Sequence, residues 1–248
     1  MPLGDPHAFH NMNDRALLLL LPLALFSTQD QEVEAVRYLP REIRGWSVQV
    51  EASLTDPDDA LGREVLELLD HKLYDLGRVL PSAAVEKLQG VTIWMERDNE
   101  RDPGGVYHPS AAWLRNNGYD PALAKCVQFG NAKNFIGWSF DQPWMVLHEL
   151  AHAYHDQVLG KGNAVIAKAF QAATESGTYE SVLRTSGRRE RAYGLNNTDE
   201  YFAELSEAYF GTNDFYPFVR AELRECDPGG YAMVESLWGA RRVKTSSK

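Results

Sequence analysis

The sequence predicts an α+β fold, with a small mixed sheet and a helix in the N-terminal part packed on a mainly helical C-terminal lobe. Two observations predict it. Short strand-like runs bounded by turn residues fall in the first half, and longer segments with helical spacing follow from about residue 141. A chain of 248 residues can bury a sizeable core around a cleft. Its 44% hydrophobic and 24% charged residues are those of a globular protein, not a disordered one.

Taken in order, Arg15 precedes an apolar run over 16–26 and a polar exit over 27–31, the pattern of a secretory signal. The run is shorter than the roughly 20 residues a membrane-spanning helix needs. Residues 1–28 therefore read as a signal peptide or N-terminal anchor, with Met12 as an alternative start, and the protein as secreted, extracellular or periplasmic. One domain is expected over 32–248, with a sheet-containing lobe at about 40–140 and a helical lobe at about 141–245. Residues 45–52 alternate apolar and polar as a half-buried strand does, and 58–79 carry leucines and a valine at helical spacing until Pro81 stops them. Residues 91–95 and 126–129 read as further strands, and 97–117 as a loop turning at Asp102-Pro103-Gly104-Gly105. Helices are expected over 144–159, 163–174, 198–210, 215–225 and 230–238, with a polar loop over 175–197.

The formal charge of −10 argues against nucleic acid or an anionic membrane as partner, since either would need a basic face. The basic stretch 188–191 reads as solvated surface. Cys126 and Cys226 are compatible with one disulfide in an oxidising compartment or with two separate thiols, and neither belongs to a Cys-x-x-Cys pair.

The chemistry concentrates in His148-Glu149-Leu150-Ala151-His152. Four residues of helix turn through about 400° and rise about 6 Å, so both imidazoles leave one face and can converge on a single zinc ion. Glu149 is rotated about 100° from His148 and stands beside the metal as a general base for water. The apolar neighbours bury the helix, and two buried histidines one turn apart need a partner. His155 lies about 10 Å along the axis from His148 and reads as a supporting or packing residue. A third protein ligand is sought downstream, where Glu200, Glu204 and Glu207 share one helical stripe and would repel one another without a cation nearby. Glu200 is assigned as that ligand, with Glu204 accepting a hydrogen bond from a ligand histidine; the exchange of these two roles is the alternative. Tyr107 and His108 either line the cleft or belong to an ordinary surface loop.

These residues carry a resemblance. The first motif, followed 48 positions later by Glu200-Tyr201-Phe202-Ala203-Glu204 and preceded there by Tyr193-Gly194, resembles the catalytic domain of the anthrax lethal factor-like zinc metallopeptidases, which are gluzincins. It spans about 120–245. Tyr201 stands where the family has Phe, and Leu195 where the lethal factor has a basic residue. The resemblance implies that Tyr193 hydrogen-bonds the oxyanion or leaving group. It also implies that an edge strand before the zinc helix holds an extended substrate, here with Val127 and Phe129 in 125–129. The expected function is that of a zinc metallopeptidase acting on a peptide or protein. A catalytically silent zinc scaffold and a hydrolase of a non-peptide amide, such as a cell-wall polymer, are the alternatives.

Overall fold

The computed structural model describes residues 36–239, so the leader expected over 1–28 lies outside the described residues. Five strands form the main sheet: β1 (Tyr38–Ile43), β2 (Trp46–Glu51), β3 (Ile93–Met95), β4 (Gly105–Tyr107) and β5 (Val127–Phe129). Their spatial order is β1-β2-β3-β5-β4. β2, β3 and β5 run parallel, while β1 and β4 pair antiparallel at the two edges. The sheet is thus mixed, and β4 ends it on one side.

β1 and β2 are joined by Arg44-Gly45, both with positive φ (54° and 87°), the conformation of a two-residue turn whose twist suits a hairpin. Along β2, Trp46, Val48 and Val50 are buried, in the same core as the apolar side of the first helix, α1 (Ala60–Val79). That helix buries Val65, Leu69, Leu73 and Leu76, a stripe at spacings of four, four and three. Asp59 caps it by accepting from the Gly62 amide at 2.7 Å.

The helical lobe follows α2 (Ser82–Leu88), α3 (Ala111–Asn116) and α4 (Ala132–Trp138). It comprises α5 (Met145–Tyr154), α6 (Ala164–Ser176), α7 (Thr198–Phe210), α8 (Arg220–Cys226) and α9 (Pro228–Trp238), with a two-stranded ribbon, β6 (Val182–Leu183) and β7 (Arg189–Glu190), between α6 and α7. α5 packs against α7, and every residue of α7 from Tyr201 to Phe210 is buried. A helix buried all round belongs at the centre of a lobe. α5 continues into a π-helical turn, His155–Leu159, which Gly160 ends at φ +83°. Among the described residues no helix is long and apolar enough to cross a membrane.

The α+β class stands, but several elements differ from expectation. β1 was not anticipated because its burial does not alternate and Pro40 interrupts it, both features of an exposed edge. The stretch 97–117 is not all loop: it holds β4 and α3, each too short to show a period. Helix α8 begins at Arg220, after Pro217, not at residue 215. Cys126 and Cys226 are free thiols.

Candidate metal centre

α5 and α7 bring three side chains to one point. His148 and His152 leave α5 one turn apart, with ring centroids 4.8 Å apart. From α7, Glu200 Oε2 reaches 3.0 Å from His148 Nε2 and 3.3 Å from His152 Nε2. A tetrahedral zinc with bonds of about 2 Å sets its donor atoms roughly 3.3 Å apart. The set therefore fits the ion in spacing, and two imidazole nitrogens with one carboxylate oxygen fit it in donor chemistry. Burial pushes the Glu200 carboxyl up, but His148 and His152 beside it outweigh burial and hold it well below the usual carboxylate range. Asn197 sets the start of α7, its Oδ1 accepting from the amides of Asp199 at 2.8 Å and Glu200 at 2.9 Å. That cap orients the turn from which Glu200 projects.

Glu204, expected to accept from one of the two histidines, is not the partner of His148 Nδ1. His148 Nδ1 lies 2.7 Å from Glu207 Oε1, a contact buried on both sides. With Nδ1–H donating to Glu207, Nε2 is the nitrogen that would face an ion. Glu204 instead accepts from Asn213 Nδ2 at 2.8 Å. Burial, reinforced by Asp214 and Glu207, raises its carboxyl well above the ordinary value. Its stem packs under Gly194, 3.4 Å from where a side chain there would begin, and so supports the turn that carries Tyr193. A second trio, His148 with Glu204 and Glu207, has ligand atoms within the same reach. Its two acids are already engaged as acceptors, Glu204 by Asn213 and Glu207 by His148.

His155 is 2% exposed and stays out of the centre. Its Nδ1 lies 2.8 Å from Asp199 Oδ1, close enough for an ion pair though not aligned as a hydrogen bond, and its ring packs 5.6 Å from Phe202. It thus braces α5 against α7.

The trio opens onto a cleft of about 230 Å³, whose lining includes Glu149, Met145, Tyr193, Gly105 and Tyr107. Glu149 passes close to β4: a Cβ on Gly105 would sit 3.2 Å from Glu149 Cγ. Glycine at that point lets the strand approach the carboxylate. Across the cleft, Tyr193 stands in the 3-10 turn Tyr193–Asn196, its ring 6.5 Å from that of His148. Burial, then the Glu200 charge, push its phenol up, so it keeps its proton and remains a donor.

The expected substrate strand is corrected. Val127 and Phe129 are 0% and 1% exposed, and β5 is paired on both sides, by β3 and by β4, so it has no open edge. The strand that borders the cleft is β4, the element missed in the loop-like stretch. Tyr107 lies in β4 and lines the cleft. His108 does not line it; the ring is buried, with Nε2 2.7 Å from Gln128 Oε1. The 200, 204, 207 stripe puts Glu207 among the candidate acids, but spacing alone does not choose between them.

No family model matches the chain, and no curated protein matches it. Among solved structures, the chain is similar to the Pro-Pro endopeptidase PPEP-2 from Paenibacillus alvei, at 19% identity and a TM-score of 0.47. The match covers 79% of this chain and 99% of that one.

Proposed function

We propose that the chain is a zinc-dependent metallohydrolase of the gluzincin type that cleaves a peptide bond. The observation that carries this reading is the convergence of His148, His152 and Glu200, with the Glu200 carboxylate 3.0 and 3.3 Å from the two Nε2 atoms and all three donors within 4.8 Å, in a cleft that also holds Glu149 and Tyr193. These three residues would hold the ion, and Glu207 would keep His148 in the tautomer that binds it. When bound, zinc supplies Lewis-acid chemistry, lowering the pKa of water from about 15.7 toward about 7 and polarising a carbonyl.

The remaining steps belong to the chain's own residues. Glu149 takes a proton from the attacking water onto its carboxylate and returns it to the leaving amine. The protonated Tyr193 hydroxyl donates to the oxygen on which negative charge develops. β4, whose outer edge borders the cleft, offers backbone groups to an extended chain. That edge favours a peptide over a compact non-peptide amide, because strand pairing needs a regular backbone.

The test is Glu149→Gln, read by metal analysis and by cleavage of a peptide library. The variant should keep its zinc and lose about 10²–10⁴-fold in turnover, the range general acid–base groups contribute. Hydrolysis at the wild-type rate would remove Glu149 from the mechanism.

A further inference from the structure

A cluster that the proposed chemistry does not use fastens β4 to the end of the metal helix. Along α5, Met145, Glu149 and His152 follow one another at spacings of four and three. Asp156, four further on in the π-helical turn, extends the same stripe. Asp156 Oδ2 accepts from the Tyr107 hydroxyl at 2.6 Å and from the Lys125 ammonium. The next residue, Gln157, donates from Nε2 to the Tyr107 hydroxyl and to the Lys125 carbonyl, both at 3.1 Å. The Asp156 side chain is only 10% exposed. Burial pushes its carboxyl up, yet Lys125 and Tyr107 outweigh this and keep it an anion.

The other side of the cluster is held with equal care. Lys125 sits at φ +62°, a left-handed conformation that a residue with a Cβ rarely adopts. Its amide donates to the His108 carbonyl at 2.6 Å, and the His108 amide donates to the Cys126 carbonyl at 3.0 Å. The β4–β5 pair is thereby closed where the cluster grips it. β4 is three residues long and has one strand partner. At its far end it passes Glu149, with Gly105 leaving room for the carboxylate stem. The stripe that carries the general base thus also carries the anchor of the strand beside it.

We propose that Asp156 is a positioning residue that, through Tyr107, fixes the spacing of β4 against α5 and so presents an extended peptide at the height of Glu149. This rests on the peptidase reading above, with β4 as the strand that receives substrate.

The experiment compares wild type with Asp156→Ala, Asp156→Asn and Tyr107→Phe, all zinc-loaded, by amide hydrogen exchange and by steady-state cleavage of a long peptide. In Asp156→Ala, exchange over 104–108 should quicken about tenfold or more while α5 keeps its protection. KM should rise about tenfold with kcat changed less than about threefold, since binding and not chemistry is disturbed. Asp156→Asn retains an acceptor for Tyr107 and should lie closer to wild type. Tyr107→Phe deletes only the hydroxyl and should reproduce the alanine variant's exchange, which keeps the test open if Asp156→Ala fails to fold. Unchanged exchange in β4, a fall in kcat at constant KM, or an asparagine variant as damaged as the alanine one would each overturn the proposal. A wild-type enzyme that cleaves no peptide would remove the peptidase reading itself. Quickened exchange in that case would leave Asp156 a fastener of the fold, which also overturns the positioning role.

Discussion

Glu207 shows how much of the candidate centre depends on residues that never touch the ion. Its carboxylate accepts from His148 Nδ1 at 2.7 Å inside the protein, so it sets both the tautomer and the tilt of a candidate ligand ring. Glu207→Gln keeps an acceptor oxygen but removes the charge, and zinc affinity should fall about 10–100-fold, the usual consequence of losing such an outer partner. Competition with a chelator of known affinity measures this, and unchanged affinity would mean that Glu207 serves packing alone. The histidine pair was legible in the sequence because helix geometry alone puts residues four apart on one face. Glu207 was not, because the choice among three acids on one stripe depends on how α7 is rotated against α5. Local spacing carries no trace of that rotation. Glu204 illustrates the same limit: it lies on the expected stripe, yet Asn213 engages it.

At the scale of elements, the start of α7 matters most, since Glu200 lies in its first turn. Asn197 accepts from two amides there, and Asn197→Ala should cost about 1 kcal/mol of stability, as lost N-caps commonly do. Denaturant unfolding of the two proteins gives the difference directly, and equal midpoints would show that water replaces the cap without loss. The long helices were readable because α1, α6 and α7 run for 20, 13 and 13 residues, enough turns for an apolar stripe or a dense core segment to stand out. The three-residue strands were not equally readable. β3 and β5 have apolar residues to mark them, but β4 is Gly105-Val106-Tyr107, which looks like the tail of a turn. The strand bordering the cleft was therefore sought one strand too far into the sheet, on β5.

At the scale of the whole molecule, the division of labour follows from the order of elements along the chain. The early strands and α1 build the sheet-bearing part, and the later helices build a lobe around the buried α7. The candidate centre forms where α5, the first long helix of that lobe, meets both α7 and the edge of the sheet. Its donors come from helices separated by about fifty residues, so a bound ion would tie α5 to α7. The central claim is that His148, His152 and Glu200 hold one zinc ion, and metal analysis of purified protein beside its Glu200→Ala variant tests it most directly. The account predicts about one zinc per chain in the wild type and loss of most of it in the variant, because tight catalytic sites use three protein ligands. A wild-type protein that takes up no zinc, or a variant that binds it as tightly, would contradict the account.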